Sequence, residues 1–322
     1  MEKIKIVSLF SGMGAYEKAL KNLKIEYKLV NYCEINEIIS NAYSILHNEP
    51  ITKNLKDIKS INPKTIKNFD LLCYSPPCQS FSTAGKRKGL QEEKGNLFYD
   101  ALKIIQTKKP KYCIMENVAN LANQFKKEFD DMLLSLDNAG YNNYWKKINA
   151  KDFIPQSRDR VFVVSIRKDI DDGLFEFPLG NNQHLSWDTF IDTSDTIELT
   201  NKQLQRVNYA KGLNENFIKI KGVVQFKHSV ISFLMNSLLF SDKREFPALL
   251  TSGHQYIICC NDRISRLHPR NHFKLMGFDI DDYNKLDGKF SNTSLYKMTG
   301  NSICVPVLEC IIGNLLKNKV IK

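Results

Sequence analysis

No two cysteines in this chain stand at CxxC spacing, and none has the separations of a zinc-ligand set. The eight cysteines are scattered, and the adjacent pair Cys259-Cys260 suits neither a routine disulfide nor a metal site. This excludes a disulfide-stapled secreted domain and points to free thiols in a reducing compartment. Residues Met1 to Val7 lack the organisation of a signal peptide and run straight into a strand-like pattern. The longest apolar runs are too short to span a bilayer, so no membrane partner is expected. Internal repeats and low-complexity tracts are missing as well. What is present is an ordinary globular composition, 43% hydrophobic and 25% charged over 322 residues, enough for one large domain or two unequal ones. The 46 Lys+Arg against 35 Asp+Glu leave +11, which fits either an AT-rich coding bias or a polyanionic partner.

The first 175 residues alternate short apolar runs with amphipathic stretches. Strands are expected from Ile4 to Phe10, Lys28 to Glu34, Phe69 to Tyr74, Tyr112 to Met115 and Val161 to Ile166. Helices are expected from Ala15 to Leu23, Ile38 to Leu46 and Leu97 to Thr107. This alternation predicts an α/β fold with a Rossmann-like, mostly parallel sheet, whose ligands sit at the carboxyl ends of the strands. The rhythm breaks near Phe177-Pro178, and residues up to about Asp262 have irregular polarity, as in a second, smaller domain. That stretch is close to neutral, with 8 basic and 8 acidic residues from 181 to 262. Within it, residues 202 to 227 carry Lys202, Arg206, Lys211, Lys219, Lys221 and Lys227 against Glu215 alone, a solvated lysine face or a DNA-facing strip. After Gly300, Val305 to Leu316 reads as a terminal helix returning to the first domain. The expected divisions are 1–177, 178–285 and 286–322.

Six polar segments lie at the ends of these elements. Phe10-Ser11-Gly12-Met13-Gly14 joins the first strand to the first helix, where glycine permits a tight turn and the helix offers free N–H groups. It lacks the third glycine of a dinucleotide fingerprint and marks a nucleotide-type cofactor only weakly. Glu34 ends the second strand, where a carboxylate either accepts from two ribose hydroxyls or is simply exposed. Asp57-Ile58 lies after a third segment, with polar and apolar groups suited to an adenine. Ser75-Pro76-Pro77-Cys78-Gln79 follows the third core strand, and its two prolines fix the backbone ahead of the cysteine and aim its sulfur. Met115-Glu116-Asn117-Val118 puts a carboxylic acid at the same sheet edge. Finally, Gln156-Ser157-Arg158-Asp159-Arg160 precedes a strand, and alternate strand residues share a face. Arg158 and Arg160 are therefore expected to serve one site, with a surface salt-bridge pair as the competing account.

In order and spacing these segments resemble the bacterial DNA (cytosine-5)-methyltransferase family of restriction-modification systems. The resemblance covers roughly residues 4 to 167 and 263 to 313, and extends to Arg266-Leu267-His268-Pro269-Arg270 and Gly300-Asn301-Ser302-Ile303. It implies the S-adenosylmethionine-dependent methyltransferase fold, with 1–177 holding catalysis and cofactor, 178–285 recognising the target, and 286–322 returning to the first part. It implies Cys78 as nucleophile, Glu116 holding or protonating cytosine N3, and Arg158 and Arg160 orienting the base carbonyl and nearby phosphate. Phe10, Gly12 and Gly14 would border the methionine part of the cofactor, Glu34 the ribose, and Asp57 with Ile58 the adenine. Asn301 and Ser302 would close that groove, and Pro77 would lie between the two ligands. Gln79, Ser80, Ser82, Lys86, Arg87, Lys88 and Arg270 are the DNA contacts expected, the segment 80–95 being basic and glycine-punctuated. The implied product is S-adenosylhomocysteine and no metal is implied. The implied partner is double-stranded DNA with its target base flipped out. A cognate restriction endonuclease, a monomeric state and a bacterial or phage cytoplasmic setting complete the expectation.

Three positions depart from the family pattern: Ala15 replaces a third glycine, Asn271 a glutamate and Ser302 an alanine. None touches the implied reaction centre. The same chemistry on tRNA is the nearest rival, but that branch carries a Cys-Phe-Thr signature that the sequence lacks. A catalytically inactive DNA-binding relative would not need Cys78, Glu116, Arg158 and Arg160 together. A NAD- or FAD-binding Rossmann enzyme leaves Pro77-Cys78-Gln79 unexplained.

Overall fold

The computed structural model describes residues 3–77, 97–180, 186–199, 201, 217–220, 223–226, 230–234, 237–241, 245–251, 256–260 and 263–316. The chain divides into two compact units. The first comprises Met1–Ala150, Asp159–Gly180 and Ser302–Lys322, the second Lys151–Arg158 and Asn181–Asn301.

The apolar runs of the first unit form β1 (Ile4–Leu9), β2 (Tyr27–Cys33), β3 (Leu71–Tyr74) and β4 (Tyr112–Val118). They are joined by β5 (Tyr141–Asn149) and β7 (Asp159–Arg167), while the two-residue β6 (Gln156–Ser157) belongs to the second unit. The six-stranded sheet has the order β2-β1-β3-β4-β7-β5. Its first four strands are parallel, and β7 pairs antiparallel with both β4 and β5. Leu71, Leu72, Cys73 and Tyr74 are all 0% exposed, as a strand covered on both faces should be.

Helices α1 (Ala15–Asn22), α2 (Glu37–His47), α3 (Leu97–Lys108) and α4 (Lys126–Asn138) follow β1, β2, β3 and β4. The Asn36 side chain caps α2 by accepting from Ile39 N at 3.1 Å. That helix buries Ile39, Ala42, Tyr43 and Leu46, the spacing of one helical face. Phe98, Ile105, Phe129 and Leu136 from α3 and α4 form one cluster with Leu72, Tyr74 and Met115 of the sheet. The terminal helix Val305–Leu316 packs on α1.

Two elements of this unit escape the sequence reading. The sequence of β5, Tyr-Asn-Asn-Tyr-Trp-Lys-Lys-Ile-Asn, has no clean alternation, and its place is set by pairing with β7 from Tyr141↔Arg167 to Asn149↔Asp159. Helix α4 lies in a polar stretch and buries only Phe129, Met132 and Leu136.

The second unit holds an antiparallel five-stranded sheet in the order Ser237–Ser241, Val230–Leu234, Tyr256–Cys260, Arg263–Leu267, Thr196–Ile197. A separate hairpin pairs Phe217–Ile220 with Val223–Phe226. Its described helices are Trp187–Phe190, Pro269–Leu275, Ile280–Leu286 and Asn292–Asn301. The units divide the chain at points other than the expected 177/178 and 285/286. Residues 151–158 join the second unit because β6 pairs with Phe246–Pro247 and Gln156 Oε1 accepts from Leu249 N at 3.2 Å. Helix Asn292–Asn301 stays with it by packing against Pro269–Leu275. Among the described residues one helical stretch, Asn292–Leu316, has the length and apolar character to cross a membrane. It is interrupted between Asn301 and Val305, and 67% of its apolar window is buried within the protein.

Candidate active site

Strand register gathers the polar segments of the first unit. Cys33 pairs with Leu9, Leu9 with Tyr74, and Tyr74 with Met115. The next residues, Glu34, Phe10, Ser75 and Glu116, therefore leave the sheet in one row at its carboxyl edge. Because β7 runs the opposite way, Arg160 near its start pairs with Val118 at the same edge. Glu34 and Glu116 are three strand spacings apart, roughly 14 Å.

At the β1–β2 end, Phe10 and Gly12 have φ of 54° and 55° and Gly14 has 81°. The left-handed Phe10 is a strained position for a bulky side chain, of the kind that clusters at ligand sites. Ser11 N and Oγ both donate to Cys33 O, at 3.1 and 3.2 Å. Gly12 N donates to Glu34 Oε2 at 3.1 Å and Asn36 N to Oε1 at 2.8 Å. Two backbone amides thus orient the carboxylate. A Cβ on Gly14 would lie 2.0 Å from His47 Nε2, so packing and φ both require glycine there. Ala15 opens α1 at an ordinary helical position, which explains why alanine serves in place of a third glycine.

Asp57 Oδ1 accepts from Lys59 N at 3.0 Å at the edge of this end. Ile58 is 5% exposed and belongs to the core, so its side chain supports the loop from beneath. The sequence reading missed Ile35. It is 70% exposed directly after Glu34, and the available signal was an isoleucine set between a strand-end acid and a helix cap.

At the β4–β7 end, Glu116 is 7% exposed and its Oε1 lies 2.9 Å from Arg160 Nε. Asn117 Nδ2 donates to Pro76 O at 3.3 Å, while its Oδ1 accepts from Val118 N at 2.8 Å. The buried Pro76 is thereby tied to the end of β4, and Pro77 follows it. Cys78, Gln79, Ser80, Ser82, Lys86, Arg87 and Lys88 lie outside the described residues, as does most of the strip 202–227.

Arg158 does not share a strand face with Arg160. It falls between β6 and β7, so strand alternation does not reach it, and it belongs to the second unit. There it is 3% exposed and donates from Nη1 to Leu249 O at 2.9 Å and from Nη2 to Gly300 O at 3.0 Å. A Cβ on Gly300 would meet the Leu250 carbonyl at 2.3 Å, so the same brace needs glycine. Arg158→Ala leaves two buried carbonyls without these donors and opens a void. A loss of about 3 kcal/mol is expected, read as a lower urea midpoint, with Arg158→Lys in between.

The remaining positions also lie at defined places. Arg270 Nε is 3.6 Å from Asp195 Oδ2, and its guanidinium sits 5.2 Å from the Tyr283 ring centroid. Asn271 is 0% exposed, donates to Asp192 O and Asp195 O, and accepts from Asp192 N. A glutamate could not donate those two bonds, which explains the departure. Asn301 is exposed at the end of the second unit, and Ser302 is 6% exposed where the first unit resumes.

The family model for C-5 cytosine-specific DNA methylases matches residues 4–317. The chain belongs to that family. This methylase is 37% identical over 280 residues to type II methyltransferase M2.ScrFI of Lactococcus lactis subsp. cremoris, covering 84% of the chain and 72% of the relative. It is 28% identical to type II methyltransferase M.HhaI of Haemophilus parahaemolyticus, over 97% and 94% of the two chains. In fold it is similar to the S. pombe Dnmt2 methyltransferase, with a TM-score of 0.71 and 19% identity over 98% and 99%. The enzyme is therefore a DNA (cytosine-5-)-methyltransferase on a mostly parallel sheet of the methyltransferase type.

Proposed function

We propose that the methylase moves a methyl group from S-adenosylmethionine to C5 of a flipped-out cytosine in a specific double-stranded DNA sequence, through a covalent bond between Cys78 and C6. The observation that carries this reading is the shared sheet edge, with an oriented carboxylate, Glu34, at one end and the Glu116–Arg160 pair beside the tethered Pro76 at the other.

The β1–β2 end fits the cofactor. In this reading the Glu34 carboxylate would accept from the two ribose hydroxyls. Exposed Ile35 offers an apolar face and Asp57 a polar edge for the adenine, over the buried Ile58. In this reading Phe10, Gly12 and Gly14 would border the methionine part, Asn301 and Ser302 would belong to the same ligand site, and Pro77 would lie between the ligands. When bound, S-adenosylmethionine supplies an electrophilic methyl group on a sulfonium. The product left is S-adenosylhomocysteine.

The chain's own residues make the base reactive. The Cys78 thiolate adds to C6 and pushes an electron pair toward C5 and N3, splitting one hard step into two. Glu116 holds N3, where that charge collects, and Arg160 fixes the carboxylate. After C5 is methylated it loses its proton, the C6–S bond breaks and the thiolate leaves. Burial pushes the Cys33 thiol up to about 12 and those of Cys73 and Cys113 well above the ordinary thiol range. Burial disfavours the thiolate at these three positions.

Gln79, Ser80, Ser82, Lys86, Arg87 and Lys88 would hold the DNA around the flipped base, and the second unit would read its sequence. The enzyme would act as a monomer in a bacterial or phage-infected cytoplasm. Its relatives include both type II and orphan methyltransferases, so the reading does not require a partner endonuclease. Incubation with tritiated S-adenosylmethionine and duplex DNA, single-stranded DNA or tRNA tests it. Label is expected in duplex DNA as 5-methylcytosine; label in tRNA alone, or in no substrate, overturns the reading.

A further inference from the structure

We propose that Asn54 is a positioning residue for cofactor binding, fixing the backbone from which Glu34 reaches the ribose; the proposal rests on the reading of Glu34 as the ribose acceptor. Asn54 lies in the connection after α2, and its side chain grips both faces of one peptide segment. Its Oδ1 accepts from Glu34 N at 3.0 Å and its Nδ2 donates to Glu34 O at 2.9 Å. The same amide accepts from Lys56 N at 2.9 Å and donates to Ser40 Oγ at 2.8 Å. A side-chain amide has two donors and two acceptor sites, and here all four are used.

The arrangement does more than terminate a strand. Gly12 and Asn36 orient the carboxylate, but neither holds the Glu34 peptide from which it extends. Asn54 holds that peptide and, through Lys56 N, the turn leading into Asp57. It thus sets the spacing between the group assigned to the ribose and the group assigned to the adenine. Its own position is fixed from below. Ser40 Oγ lies 3.0 Å from Tyr32 OH, and Tyr32 stacks on Tyr43 with ring centroids 4.1 Å apart. Leu55 N also donates to Tyr32 O at 2.7 Å, so the Asn54 segment is bound to β2 by backbone as well.

Titration of S-adenosylhomocysteine into the wild type, Asn54→Ala, Glu34→Ala and the double variant tests this. Asn54→Ala is expected to weaken binding about tenfold when Glu34 is present and less than about twofold when it is alanine. The kcat at saturating cofactor should stay within about twofold, because the Glu116 end is untouched. Ser40→Ala, which removes one anchor of the amide, should give a smaller loss in the same direction. If Asn54→Ala does not fold, Asn54→Asp, which keeps both accepted bonds, goes through the same cycle. Equal weakening in both backgrounds means general loosening and overturns the proposal, as does unchanged affinity with Glu34 present. If Glu34→Ala alone leaves affinity unchanged, the ribose assignment itself fails, and the proposal with it.

Discussion

Cys78→Ser is expected to lower the rate of methyl transfer by at least about 10⁴-fold while leaving the affinity for S-adenosylhomocysteine within about twofold of the wild type. A serine hydroxyl is scarcely ionised at neutral pH, so it cannot add to C6 as a thiolate does. The cofactor end of the sheet and the Asn117–Pro76 bond do not depend on the sulfur. Single-turnover transfer from tritiated S-adenosylmethionine to duplex DNA measures the rate, and calorimetry measures the affinity. A variant with a rate within tenfold of the wild type would remove Cys78 from the chemistry.

Glu116→Gln carries the second large effect, a fall in kcat of about 10²- to 10⁴-fold with little change in cofactor affinity. The amide keeps the size of the side chain but loses the charge that pairs with Arg160, and it cannot exchange a proton with N3. Arg160→Ala should also lower kcat, because the buried carboxylate then loses the cation that orients it. Arg158→Ala should act differently, mainly by lowering the unfolding midpoint. Steady-state kinetics and urea melts on the same preparations separate the two arginines. Kinetic loss at Arg158 without destabilisation would contradict the brace to Leu249 and Gly300.

What could be read from the sequence was whatever a short segment carries by itself. The Gly12-Met13-Gly14 turn, Glu34 and Glu116 were legible because each directly follows an apolar strand, and parallel register turns strand ends into neighbours. Strand alternation does not place Arg158, because β6 ends at Ser157 and the chain passes from one unit to the other between Arg158 and Asp159. Its partners lie far along the chain, at Leu249 and Gly300, and no local pattern announces them. β5 was hidden for a related reason, since its position comes from pairing with β7 rather than from its own polarity. Asn54 looked like one of many turn asparagines, and only the four bonds of its amide distinguish it. Asn271 looked like a departure from a pattern, and the loop it holds at Asp192 and Asp195 accounts for it.

The covalent bond between Cys78 and cytosine is tested most directly by trapping it. A random-sequence duplex pool carrying 5-fluorocytosine, incubated with the enzyme and S-adenosylmethionine, blocks release because the fluorinated C5 has no proton to lose. Digestion and mass spectrometry of the complex should then place one methylated fluorocytosine adduct on the peptide that contains Cys78, dependent on cofactor and absent from Cys78→Ser. An adduct on any other residue, or methylated DNA without an adduct, would contradict the mechanism.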